Sequence, residues 1–274
     1  MIQKISFAVL LMLMLYLVFC GSKSTRPQLN RIELLLPSSA ISRSEVAEDI
    51  SIAFLADLHV DESPESLSNL EALILSVAME KPDLVIFGGD FVDGSVGRDK
   101  IGELRTQIAT LLGTIEGVSL VAVLGNHDSW TDPVAWTEAL NSAGVSVIDG
   151  RVATLGYLSL CVRGLGDVYS GKYSYVDFPQ HCLGMTRISV THDPAGAFKP
   201  RVEGLVLAGH THCGQIRVPI IGAPWAPTDA PQEAQCGLYE DPIRTVFVSS
   251  GIGTSLLPFR IGTQSQWDLI RLMR

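Results

Sequence analysis

Two patterns of apolar residues divide the chain near residue 145. Before it, short apolar runs alternate with stretches in which apolar residues recur at steps of three and four; after it, short apolar runs follow one another. Ile50–Ala56, Leu84–Phe87 and Ser119–Leu124 have the composition of buried strands. Between them, Leu67, Leu70, Leu73, Ile74 and Val77 keep to one helical face, as do Ile101, Leu104, Ile108 and Leu111. Ser63-Pro64 supplies a cap and a first-turn proline for one helix, and Lys81-Pro82 stops it. A second helix is expected over Arg98–Leu112, and a third from Asp132-Pro133 to Ala143, ended by Gly144. The second half predicts strands over 145–148, 152–155, 158–162, 187–191, 205–208, 216–218, 245–249 and 267–272. A βαβαβα half followed by a mostly β half predicts an α/β fold, with two packed β-sheets inside and helices outside.

The extreme N-terminus stands apart. Ile5–Cys20 is apolar except for Ser6 and Tyr16, with Lys4 before it and Gly21-Ser22-Lys23 after it. At about 1.5 Å per residue such a run spans most of a hydrocarbon core of about 30 Å, and it has no polar stripe to mark a solvent face. Phe19 before Cys20 suits neither a small-residue cleavage site nor a lipoprotein site. The expectation is an uncleaved anchor over 1–22 that meets membrane lipid through residues 5–20. Lys23, Arg26 and Arg31 after the run favour the cytoplasmic face for the remainder, whereas the signal-like layout argues for the opposite side. Residues 23–49 read as a tether containing one short strand, Ile32–Leu36, and residues 50–274 as the catalytic domain.

Composition changes this picture in two respects. A formal net charge of −9 argues against nucleic acid as a partner, because such proteins concentrate Lys and Arg. Phosphate can still bind if cations supply local positive charge. The five cysteines, Cys20, Cys161, Cys182, Cys213 and Cys236, are odd in number and include no CxxC pair, which excludes a zinc ribbon and favours free thiols packed as small apolar residues.

Polar clusters follow the strand ends: Asp57-Leu58-His59, Gly89-Asp90, Gly125-Asn126-His127-Asp128, His192-Asp193 and Gly209-His210-Thr211-His212. Ligands of open α/β sheets bind beyond the carboxyl ends of strands. Alternation along an extended chain would point Asp57 with His59, and His210 with His212, to one side. Mixed imidazole and carboxylate ligands suit Mn, Fe, Zn or similar divalent ions. Five of the six histidines fall in these clusters; His181 has no such context and reads as a surface residue. Ser129 and Cys213 lack a separate His–Asp pair to activate them as nucleophiles.

This order of D-x-H, GGD, GNHD, H and GHTH resembles the calcineurin-like metallophosphoesterase superfamily over residues 50–274. The phrases Gly209–Pro219 and Ser250–Arg260 resemble a membrane-associated bacterial subgroup, some of whose members hydrolyse UDP-2,3-diacylglucosamine in lipid A synthesis. The resemblance implies a four-layer sandwich of mixed sheets and helices, two divalent metal ions, and a phosphoester substrate held at the bacterial inner membrane. It implies that Asp57, His59 and His212 hold one ion, that Asn126, His192 and His210 hold the other, and that Asp90 bridges them. His127 would face the substrate, with Asp128 orienting it. Two ions of this kind activate a water for in-line attack, so no covalent intermediate is needed. Purple acid phosphatases carry Tyr where this chain has Asp93, and protein Ser/Thr phosphatases carry V-D-R-G where it has Val92-Asp93-Gly94-Ser95, which argues against both activities. The Pro-, Ala- and Gly-rich stretch Ile216–Tyr239 is expected to wall the cleft with apolar surface suited to an acyl or nucleobase group.

Overall fold

The computed structural model describes residues 21–22, 27–35, 49–218 and 221–273. Two six-stranded mixed sheets pack face to face. The first has the order β2 (Gln28–Leu35), β14 (Gln266–Met273), β3 (Ile50–Leu55), β4 (Leu84–Phe87), β5 (Ser119–Ala122) and β6 (Val145–Val147). The second has the order β11 (Gly237–Glu240), β12 (Arg244–Val248), β10 (Gly204–Ala208), β9 (Thr186–Val190), β8 (Leu160–Gly164) and β7 (Val152–Leu155). A two-residue strand, β1 (Gly21–Ser22), pairs with β13 (Arg260–Ile261).

Alternation sorts the core. Ile52 and Phe54 of β3, Leu84 and Ile86 of β4, and Val121 of β5 face the other sheet, where they meet Val162, Ile188, Leu205, Leu207 and Phe247. Their neighbours Ala53, Leu55, Val85, Phe87, Leu120 and Ala122 face outward against the helices. Those helices are α1 (Pro64–Met79), α2 (Ile101–Leu112) and α4 (Pro133–Ser142), with a short α3 (Asn126–Thr131) ahead of the last. Ser63 caps α1, its side chain accepting from Ser66 N–H at 3.1 Å, and Asp132 caps α4 in the same way through Ala135 N–H. The outer face of the second sheet is covered differently. Val206, Ala208, Val246 and Val248 pack against Ala197 and Val202, in and beyond the 3₁₀ turn Pro194–Phe198. The two sheets are thus flanked by helices, but the α-helical layer lies on the first sheet.

Several expectations change. The strand placed in the tether is a full edge strand, paired in parallel with β14 from Gln28↔Gln266 to Leu35↔Met273. Residues 216–218 form no strand, only isolated bridges to Ile261 and Gly222. Four of the five cysteines expected as free thiols form disulfides, Cys161–Cys182 and Cys213–Cys236, whose partners lie 21 and 23 residues apart in sequence. Cys20 and the run Ile5–Cys20 lie outside the described residues, among which no helix is long and apolar enough to cross a membrane.

Candidate metal centre

Every expected site residue emerges just past the carboxyl end of a strand: Asp57 and His59 after β3, Asp90 after β4, Asn126 and His127 on α3 after β5, His192 after β9, and His210 and His212 after β10. The means of convergence differs from simple alternation. Asp57, His59, Asp90, His210 and His212 have φ of 56°, 44°, 55°, 68° and 50°, in the left-handed region that non-glycine residues avoid. Each such residue costs on the order of 1–3 kcal/mol and persists only where the surroundings fix it. Here the turns swing five side chains off their strands toward one point between the sheets.

The nitrogen and oxygen atoms form three overlapping clusters: Asp57 with His59 and His212, His59 with Asp90 and His127, and Asp90 with His192 and His210. Nε2 of His59 lies 3.0 Å from Nε2 of His212, and Nδ1 of His210 lies 3.2 Å from Nε2 of His192. Asp90 Oδ2 stands between the two pairs, 3.6 Å from His59 Nε2 and 3.3 Å from His192 Nε2. Two facing imidazole nitrogens need a proton or a cation between them. On one pair the ring tautomers are fixed from behind. His192 Nδ1 donates to Gly88 O at 2.7 Å and His210 Nε2 to Pro227 O at 2.6 Å, which leaves His192 Nε2 and His210 Nδ1 turned to the site. Asn126 Oδ1 is buried and accepts no hydrogen bond among the described residues. A buried acceptor without a partner beside clustered imidazoles fits a cation.

Electrostatics agree with that reading. Burial pushes the Asp57 carboxyl up to about 7, against the pull of His192. Burial lowers His59 to about 4, and it also lowers His210 and His212. Asp90 resists its burial: His192, His59 and His127 hold it ionised, well below the usual carboxylate range. His192 is likewise raised, because Asp90 outweighs the cost of burial. A nearby cation would favour the ionised form of the raised Asp57 carboxyl, and the lowered His59, His210 and His212 favour the neutral imidazole, the form that binds a cation.

The Asp128 carboxylate meets backbone N–H groups. Its Oδ2 accepts from the N–H groups of Asp90 and Gly125, both at 2.9 Å, and its Oδ1 from Phe91 N–H at 2.9 Å. The carboxylate thereby ties the Gly89-Asp90 turn to the start of α3, while His127 Nδ1 has no hydrogen-bond partner among the described residues. Gly125 leaves no room for a side chain, since a Cβ there would strike Asp90 Oδ1. His127 keeps its place by other means: its N–H donates to Asp90 Oδ1 at 2.8 Å and its ring meets His59 edge-on at 4.7 Å.

Gly94, in the segment where the Ser/Thr phosphatases carry a phosphate-binding Arg, also bears on His127. A Cβ at Gly94 would lie 2.8 Å from Cε1 and 2.9 Å from Nδ1 of the His127 ring. Gly94→Ala should displace that ring, lowering turnover by about tenfold or more while leaving metal content at the wild-type level. Metal analysis beside a hydrolysis assay checks this, and unchanged turnover would show that the ring's position is not critical.

The sequence pattern assigns Arg260 no role. It is buried at 1 % exposure, and burial lowers its guanidinium to about 10. Nη2 lies 3.1 Å from His212 Nδ1 and donates to Gly251 O and Gly253 O. A lone buried Arg behind an imidazole has no local sequence signal, because the chain from His212 returns to it only through tertiary packing. His181 is exposed, beside Thr154 Oγ1, as expected. The wall expected from Ile216–Tyr239 is present through Ile216, Pro224, Trp225 and Pro227, whereas Tyr239 packs on Phe198 elsewhere.

Comparison with known proteins agrees with this geometry. Residues 50–214 match the calcineurin-like phosphoesterase family model. The chain is 30% identical over 240 residues to phosphodiesterase YaeI of Escherichia coli, covering 83% of each chain. It is 26% identical to the uncharacterized metallophosphoesterase YkuE of Bacillus subtilis, over 78% of this chain and 75% of that one. It is also 26% identical to a transmembrane protein with metallophosphoesterase domain from Danio rerio, over 81% of this chain and 53% of that one. The family works with a dinuclear divalent metal centre, for which these clusters are the candidate ligands. The chain therefore belongs to the calcineurin-like phosphoesterase family and is a metal-dependent phosphoester hydrolase.

Proposed function

We propose that Asp57, His59 and His212 hold one divalent ion, that Asn126, His192 and His210 hold a second, and that Asp90 serves both. The observation that carries this is the position of Asp90 Oδ2 between two imidazole pairs whose nitrogens face each other. Bound, two such ions would supply the Lewis acidity that activates water and neutralises phosphoryl oxygens. The chain's own residues would do the rest. Asp90 contributes the shared negative charge. His127, whose Nε2 lies 3.9 Å from Asp90 Oδ2 and reaches the cleft, holds a proton for the leaving oxygen. Asp128 keeps the two loops in register.

We further propose that the substrate is a phosphodiester or diphosphate at a membrane, with a lipid-linked compound such as UDP-2,3-diacylglucosamine the specific candidate. The apolar run Ile5–Cys20 and the apolar cleft wall support this. A second reading, an exported phosphodiesterase acting on soluble diesters, draws support from the two disulfides, which persist in oxidising compartments. The same disulfides weigh against the cytoplasmic face that the flanking charges favoured.

Removal of residues 1–20 separates the two readings. For a membrane-held substrate, the truncated protein should leave the membrane fraction, keep its turnover of a small soluble diester within about twofold, and lose about tenfold or more against a diacylated substrate in vesicles. Equal turnover of the vesicle substrate by both forms, with a mature N-terminus found beyond Cys20, would favour the exported enzyme.

A further inference from the structure

Two of the cavities that reach the metal centre are unlike. Beside Asn126 and His210 lies a cavity of about 370 Å³ walled by Trp130, Tyr169, Pro224 and Trp225, and among the described residues no Lys or Arg lines it. One wall is a run of rings: His127 to Trp130 at 5.6 Å, Trp130 to Tyr169 at 5.9 Å, and Tyr169 to His210 at 4.8 Å. Beside His59 lies a second cavity, of about 710 Å³, into which Asp61 and Asp93 bring carboxylates. Both cavities share His127, Trp130 and the tip Ser255-Leu256-Leu257.

That tip is fixed at a cost. Leu256 has φ of 64° and is 89 % exposed. A leucine both left-handed and in water benefits neither the backbone nor the core. Gln215 holds the tip in place: its Oε1 accepts from Ser255 N–H at 2.8 Å, and its Nε2 donates to Leu257 O at 2.8 Å and Phe259 O at 3.0 Å. Gln215 is itself left-handed, three residues past His212. Trp130 and Trp225, at 60 % and 62 % exposure, add to the apolar surface at the mouth. Exposed apolar side chains gathered at one cleft mark a binding surface.

Resting on the phosphoester-hydrolase reading of the metal centre, we propose that the cavity beside Asn126 and His210 takes one uncharged apolar arm of the substrate, and that Trp225 and Leu256 determine the preference for it. The arm is an alkyl chain or an aromatic ring bonded through phosphorus. Its phosphoryl end lies at the metal ligands, and its apolar end lies between the Trp130–Tyr169 wall and the Trp225–Leu256 side. An anionic arm is disfavoured because, among the described residues, no Lys or Arg lines the cavity to meet it.

Alkylphosphonates test this, since each carries one arm only. Their dissociation constants are measured by calorimetry on the full-length, Mn-loaded protein, for methyl, butyl, hexyl, phenyl and 5-carboxypentyl phosphonate. Binding should tighten by tenfold or more from methyl to hexyl or phenyl, and the carboxypentyl compound should lose that gain. Hexyl above phenyl identifies a chain and phenyl above hexyl a ring, and either supports the proposal. Trp225→Ala and Leu256→Asn should each shrink the hexyl-to-methyl ratio by threefold or more, while Leu75→Ser, exposed on α1 outside the cleft, should leave it unchanged. Asn tolerates the left-handed backbone of residue 256, so loss of the ratio there does not reflect unfolding. A series flat from methyl to hexyl and phenyl, or a ratio identical in both variants, would overturn the proposal. Hydrolysis of bis(p-nitrophenyl) phosphate is followed in parallel. Turnover with a flat series sinks the apolar arm alone, and a graded series without turnover sinks the hydrolase reading alone.

Discussion

Asp90→Asn should reduce phosphodiester turnover by more than about 10²-fold and leave the protein unable to retain two ions per chain. Among the described residues, Asp90 alone shares a candidate ligand cluster with members of both imidazole pairs, at 3.6 Å from His59 and 3.3 Å from His192. The substitution keeps the shape and removes the charge. Asp90 Oδ1 accepts only from His127 N–H, a contact the amide oxygen of Asn can reproduce, so the fold should survive. A hydrolysis assay, elemental analysis and a circular dichroism spectrum check the three expectations in turn. Two ions per chain with near-normal turnover would show that Asp90 is not shared.

His127→Ala should behave in the opposite way toward metal. His127 is the least buried of the clustered histidines, with 15% of its side chain exposed, and its ring lines both cavities of the cleft. Turnover should fall by about 10²–10⁴-fold, the range of general acid–base groups, with metal content unchanged. The deficit should be smallest for a p-nitrophenolate leaving group, which departs without a proton, and largest for an alkoxide. Equal deficits for the two would contradict a proton held at the leaving oxygen.

What the sequence makes legible is what local chemistry determines. Ser63-Pro64 and Asp132-Pro133 mark helix starts because cap and proline act within one turn. The clusters at strand ends are legible because a buried apolar run must stop where the chain meets a ligand site. Where contacts join distant residues, local pattern is silent. Ile32–Leu36 looks like an isolated short strand because β14, the partner of the full strand Gln28–Leu35, lies over 200 residues away. The disulfides join cysteines without a motif, since nothing in the spacing of Cys161 and Cys182 shows that β8 and the 3₁₀ turn Gln180–Gly184 meet. Left-handed ligands are also hidden, because Asp and His give no sign of a φ imposed by their neighbours. Asp128 shows the same limit at one residue: the motif names it, but its three backbone donors come from two loops that only the fold brings together.

The most direct test is a metal titration of the purified, chelator-stripped protein. Mn(II) is added in steps, bound ions per chain are counted by equilibrium dialysis, and hydrolysis of bis(p-nitrophenyl) phosphate is followed at each step. The clusters around Asp57, Asp90 and His192 predict that binding ends at two ions per chain and that turnover rises with their occupancy. Full turnover in the stripped protein, or saturation with no turnover of any phosphoester, would contradict a two-ion phosphoester hydrolase.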